Sequence, residues 1–187
     1  MLLGLAVGLL RGGRLDNLLN HPFRHLWLVL LPFALRGAIY FLPASPGPRS
    51  PWLSIVVQAV AYGSLLVLVF INRSVKGVPL IGLGIVSNFL AIMFNNGRMP
   101  VSPEGLARIG GPELVEAVAR DTSFTHQLAD ATVRLYWLTD IWPLPRPFPL
   151  PTVFSIGDVL IALGAFVLLQ HLMQPRRTSP YILPPAR

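Results

Sequence analysis

Cysteine is absent from the chain, which excludes disulfides, thiolate metal sites, iron–sulfur clusters and c-type haem attachment. Charge is scarce as well: 12% of residues are Asp, Glu, Lys or Arg, against roughly 25% in a soluble domain. No P-loop, dinucleotide-binding glycine pattern, nucleophile elbow or HExxH motif occurs, so the common nucleotide-, acyl- and zinc-dependent chemistries have no foothold in the sequence. Acidic residues are the rarer sign, 8 against 15 Lys and Arg, giving a net charge of +7. In a soluble protein that balance would suggest nucleic acid. Here the cations cluster beside apolar runs, so membrane lipids with anionic headgroups are the expected partners and nucleic acid is not.

Apolar residues fill the space that charge leaves. They make up 53% of the chain, and the mean hydropathy is +0.60. Four runs are long enough to read as transmembrane spans, about residues 26–42, 52–71, 78–94 and 153–173. Residues 1–12 form a shorter apolar segment, too short to cross a bilayer core of about 30 Å at 1.5 Å per residue. Either the true first span is longer than this segment, or it is a partial span sheltered by the others. Leu15, Leu18 and Leu19 suggest a short interfacial turn, ended by His21-Pro22. If the spans alternate, Arg11, Arg14, Arg24, Arg73, Lys76, Arg176 and Arg177 fall on one side and only Arg49 and Arg98 lie close to span ends on the other. The positive-inside rule then puts the C-terminus, with the loose tail 175–187, in the cytoplasm and residues 96–152 outside.

The third long span carries a stripe that does not belong in lipid. Gly84, Asn88, Ala91 and Asn95 share one helical face, and small or polar residues at such spacing point at protein. Measured from the span ends, Arg36, Gln58, Asn88 and Asp158 all lie about 7 to 10 Å below the outer surface. Asp158 is the one carboxylate within a span and the natural partner for Arg36. Two readings follow. One is an interhelical clamp, an Arg36–Asp158 pair with Gln58 and Asn88 as hydrogen-bonding glue. The other is an outward-opening polar pocket in which Arg36 and Arg98 meet an anionic group while His126, Asp130 or Asp158 moves a proton.

The outer segment 96–152 reads as a cap of two short helices and a strap. Gly111-Pro112 followed by Glu113, Glu116 and, at the end, Arg120 has the signature of a helix start and stop. A second helix over 123–138 would set His126, Asp130 and Arg134 on one line. The alternating prolines from Trp142 to Pro151 predict an extended, stiff strap. His126 and Asp130 alone are too few to hold a metal, and His25 and His171 at span ends are poor haem ligands; no metal or cofactor is expected.

Several of these residues together carry a resemblance. The run Asn96-Gly97-Arg98-Met99-Pro100-Val101-Ser102, then His126, Thr132-Val-Arg134-Leu-Tyr-Trp-Leu138-Thr-Asp140, Pro143-Leu-Pro145 and Ser155-Ile-Gly157-Asp158-Val159-Leu160 resembles a family of small bacterial multi-spanning membrane proteins. That family carries a domain-of-unknown-function label. The resemblance covers nearly the whole chain and implies a cytoplasmic-membrane protein of about five helices, with no activity attached.

The expectation is therefore an all-α, polytopic transmembrane bundle in a single membrane domain, 1–187. Its binding candidates are Arg36, Gln58, Asn88, Asn96, Arg98 and Asp158, and its candidates for acid–base work are His126, Asp130 and Asp158. A non-enzymatic binding or accessory subunit, acting through its outer cap on a membrane protein or lipid partner, is the leading function. An outer-leaflet enzyme for an anionic lipid-like substrate is the alternative.

Overall fold

The computed structural model describes residues 2–19, 23–40, 51–120 and 125–174. The His21-Pro22 break, the connection around Arg49 and the tail with Arg176 and Arg177 lie outside them. Helix α1 (Leu2–Leu10) and the single turn α2 (Asp16–Leu19) are followed by a 3-10 turn over Leu26–Val29 that leads into α3 (Leu30–Tyr40). The long helices are α4 (Pro51–Ile71), α5 (Val78–Phe94) and α7 (Ile156–Met173). Of these, α4 and α7 are long and apolar enough to cross a membrane; α5 is equally apolar in character and slightly shorter.

The long helices carry their polarity on the inside. Along α4 the buried positions are Ser54, Val57, Gln58, Ala61 and Ser64, while Trp52, Val56, Val60, Val67 and Phe70 are exposed. In α5 the buried face holds Gly84, Asn88 and Ala91, and Leu83, Val86, Leu90 and Phe94 point outward. Asn95, at the end of that helix, is buried too, so the whole predicted stripe faces protein. A core helix of a water-soluble protein has the opposite pattern.

Glycine sets the closest contact in the bundle. Helices α5 and α7 run antiparallel, with Gly84 against Gly157 at one end and Gly77 against Gly164 at the other. Each pair is seven residues apart on its own helix, so both contacts fall on one seam. A Cβ on Gly164 would come within 2.6 Å of the Ile81 nitrogen and 2.9 Å of the Gly77 oxygen. The backbones touch because nothing lies between them. Helix α1 rests on the far half of α7, where Gln170 Nε2 donates to the Gly4 carbonyl (2.7 Å) and accepts at Oε1 from Arg11 (3.2 Å). The last carbonyls of α7 are satisfied from outside the helix: the Met173 oxygen accepts from the Arg14 N–H (2.9 Å) and from Asn17 Nδ2 (3.0 Å). Helix α1 is thus a half-length helix supported by α7.

Across the other end lies the segment between α5 and α7, and here the all-α expectation fails. Strand β1 (Met99–Val101) pairs in parallel with β2 (His126–Leu128), and β3 (Trp142–Leu144) pairs antiparallel with β4 (Thr152–Phe154). The predicted helix over 123–138 is not formed by residues 125–138. Its backbone groups have better partners elsewhere: the Met99 N–H donates to the Thr125 oxygen (2.8 Å) and the Ala129 N–H to the Val101 oxygen (2.9 Å). Asp130 then accepts from the Thr132 N–H (2.8 Å) and hydroxyl (2.6 Å), a side-chain turn that competes with helix. His126, Asp130 and Arg134 consequently share no helical face. The proline strap is extended only over Trp142–Leu144; residues 146–150 turn and bend, so the chain doubles back with Pro143 opposite Val153.

Between these strands α6 (Pro103–Arg120) starts earlier than predicted, with Ser102 Oγ accepting from the Gly105 N–H (3.1 Å) as its cap. It breaks at Gly111, whose φ of 74° a side chain would resist, and restarts on Pro112. The predicted helix is that second half. Its end is marked by an Arg120–Glu116 ion pair.

Asn95 fastens the cap to the bundle. Its Nδ2 donates to the Ala91 oxygen (2.7 Å) and the Arg134 oxygen (2.8 Å), and its Oδ1 accepts from the Arg134 N–H (2.9 Å). Asn95→Ala is expected to cost about 1–3 kcal/mol of local stability by removing both cross-links. Limited proteolysis should then cut residues 129–139 faster while the helices stay protected.

Candidate functional site

Where cap and bundle meet, they enclose a cavity of about 250 Å³. Its floor comes from four helices: Arg36 of α3, Gln58 and Tyr62 of α4, Asn88 and Ile92 of α5, and Asp158 of α7. Its roof is the cap, through Met99, Thr125, His126, Asp140, Thr152 and Val153. The four residues placed at one depth by counting along the spans therefore share one cavity, joined by His126.

Their connections differ from the expected clamp. Arg36 and Asp158 form no ion pair. Asp158 instead closes a capping box at the start of α7: the Ser155 N–H donates to its Oδ2 (3.0 Å) and its own N–H donates to Ser155 Oγ (3.1 Å). Its other oxygen accepts from Asn88 Nδ2 (2.8 Å), and the Ser155 hydroxyl donates to Asn88 Oδ1 (2.9 Å). Asn88, Ser155 and Asp158 are thus a satisfied network that locks α5 to α7. A carboxylate at a helix N-terminus is also favoured by the helix dipole. Arg36 stands at the exposed edge of the cavity.

Asp140 is the residue that the sequence reading passed over, although it closes one of the motifs quoted above. It is 7% exposed. Its backbone is pinned beside β1, its N–H donating to the Pro100 oxygen (3.1 Å) and its carbonyl accepting from the Ser102 N–H (2.9 Å). One carboxylate oxygen lies 3.9 Å from His126 Nε2; the other is buried with no hydrogen-bond partner. Burial, reinforced by the negative charge of Asp158, pushes the Asp140 carboxyl up to about 7. Gln58, 2% exposed, likewise has a buried Nε2 without an acceptor. Two orphaned buried groups, one donor and one acceptor, thus belong to residues on opposite sides of the same cavity. Such groups normally find partners.

The remaining candidates lie elsewhere. Asn96 is exposed with a φ of 58° and makes, with Gly97, the left-handed turn that ends α5. Arg98 is not part of the cavity lining. Asp130 is exposed and spent on its turn with Thr132, whose hydrogen bonds hold its carboxyl below the usual range. Among the described residues, no group of three or more His, Asp or Glu side chains is placed to hold a metal ion.

No solved structure matches this chain. An uncharacterized protein of Thermotoga maritima is 27% identical over 176 residues, covering 92% of this chain and 89% of that one. The model of the family described as "Family of unknown function (DUF5317)" matches residues 20–170. The chain that builds this capped polar cavity belongs to the DUF5317 family.

Proposed function

We propose that this is a multi-pass protein of the bacterial cytoplasmic membrane that binds a small polar ligand in the cavity between its bundle and its cap. The observation that carries the reading is the pair of orphaned buried groups, Gln58 Nε2 and Asp140 Oδ1, in the wall of a cavity edged by Arg36. The membrane part rests on the inverted polarity of α4, α5 and α7, whose outward faces are apolar and whose buried faces hold Ser, Gln and Asn. Helices α4, α5 and α7 then serve as spans, the 3-10 turn with α3 as the described part of a further span, α1 as a supported half-span, and residues 96–152 as an extracytoplasmic cap. Arg11, Arg14, Arg24, Arg73 and Lys76 gather at the opposite end, as the positive-inside rule asks of a cytoplasmic face.

Native mass spectrometry of protein extracted gently from its own membrane tests the ligand site. The expected result is a stoichiometric small adduct on the wild type, reduced several-fold in Gln58→Leu, a change that removes the buried donor and keeps apolar bulk. A protein partner without any small adduct would return the function to the outer cap as an accessory subunit's docking surface.

A second reading, an outer-leaflet enzyme, is favoured by one observation: a carboxyl held near neutrality with an imidazole nitrogen 3.9 Å away. In that reading His126 and Asp140, rather than Asp130, carry the proton transfer.

A further inference from the structure

The open valences of the cavity differ from wall to wall, and they specify what would fill it. On the helix side the available groups are a cation and a donor: the Arg36 guanidinium, unpaired with Asp158, and the buried Nε2 of Gln58. Asp158 is already engaged there, one oxygen accepting from Asn88 Nδ2 and the other from the Ser155 N–H. On the cap side the group is an acceptor, the Asp140 carboxylate, whose Oδ1 has no hydrogen-bond partner.

We infer that the cavity takes a zwitterion, an anionic phosphate group against Arg36 and Gln58 and a primary ammonium against Asp140. The inference rests on the reading of the cavity as a ligand site. An ammonium supplies a countercharge to the ionised Asp140 and an N–H donor for its carboxylate; a phosphate supplies a countercharge to Arg36 and an acceptor for Gln58. A cavity of about 250 Å³ holds a headgroup and little more. Beside its open edge, one turn before Arg36 on α3, Phe33 is 68% exposed, and with the outward valines of α4 it offers an apolar surface for acyl chains. The same chemistry occurs in a lipid with an aminoalkyl phosphodiester head and in a free aminoalkyl phosphate.

The affinity for the ammonium depends on pH. Arg36, Tyr62, His126 and Asp158 are the charged or titratable groups that line the cavity with Asp140. Because burial holds the Asp140 carboxyl up at about 7, the ionised form that an ammonium needs is the minority at pH 6 and the majority at pH 8. Affinity should therefore rise roughly tenfold over that interval.

The test is calorimetric titration of the full chain in detergent with dihexanoyl phosphatidylethanolamine, its glycerol and choline analogues, and free phosphoethanolamine. The ethanolamine lipid should bind at least tenfold more tightly than the other two lipids at pH 8. Asp140→Asn should abolish that preference and its pH dependence. Gln58→Leu should weaken all three lipids about equally, several-fold, and it reads the anion side independently if Asp140→Asn folds poorly. Free phosphoethanolamine binding as tightly as the lipid would support the zwitterion and identify a soluble source; much weaker binding would support it and identify the lipid. A glycerol lipid that binds as well as the ethanolamine lipid, or a preference that survives Asp140→Asn, would overturn the zwitterion and leave the ligand site standing. Absence of saturable binding by all four probes would overturn both.

Discussion

Replacing Gly157 by alanine is expected to unfold much of the protein. A Cβ at Gly157 would overlap Asn88 Oδ1 and stand 2.6 Å from Asn88 Cγ and 2.8 Å from the Gly84 oxygen. The helix backbones cannot part without opening the whole α5–α7 seam. Asn88 cannot turn away without releasing Asp158 and the Ser155 hydroxyl. Overpacking alone costs about 1–3 kcal/mol, and an unpaired buried group adds a similar amount, so a loss of about 3 kcal/mol or more is expected. Gly37 and Gly63 provide the contrast. Both are helical with nothing within 4 Å of an added Cβ, so alanine there should be neutral or stabilising by up to about 1 kcal/mol. Thermal unfolding in detergent, followed by tryptophan fluorescence, separates the cases; equal melting of Gly157→Ala and Gly63→Ala would refute the backbone contact.

Asp140→Asn is expected to stabilise the ligand-free protein, and only at neutral and alkaline pH. The native carboxyl binds its proton up to about 7, against 3.8 for an ordinary aspartate, so the folded state holds a proton that the unfolded chain releases. Stability therefore falls as pH rises between those two values. The difference corresponds to on the order of 4 kcal/mol above pH 7, less whatever His126 recovers when protonated. Asparagine keeps the shape and never ionises. Its advantage should be full at pH 8, shrink through pH 6 and disappear near pH 4. A melting-temperature difference that stays constant from pH 4 to 8 would show that Asp140 is not desolvated.

What was legible in the sequence followed from period and composition. The stripe of Gly84, Asn88, Ala91 and Asn95 could be read because helical spacing alone decides which residues share a face, and burial follows when that face is the small, polar one. Counting 1.5 Å per residue from the span ends was enough to level Arg36, Gln58, Asn88 and Asp158. It could not say who bonds to whom, since Asp158 prefers backbone donors at its own helix start to a distant guanidinium. The Ser155-Ile-Gly157-Asp158 spacing was the available signal for that capping box. The cap was harder. Three-residue strands leave no periodicity, and a His126–Asp130–Arg134 line looks helical until β1 is there to claim the backbone. Ser102-Pro103-Glu104 was a legible helix start in the same segment. The burial of Asp140 had no local signal, because the residues that hold it, Pro100, Ser102 and His126, are not its neighbours in sequence.

The absence of native cysteine makes the most direct measurement clean. Two single-cysteine variants, Ser74→Cys in the exposed turn between α4 and α5 and Leu150→Cys at the 82% exposed tip of the cap, would be treated in intact cells with a membrane-impermeant maleimide. Leu150→Cys should be labelled in intact cells and Ser74→Cys only after lysis, with both variants in the membrane fraction. Equal labelling of the two positions in intact cells, or recovery of the protein in the soluble fraction, would contradict a bundle that spans the membrane beneath an outer cap.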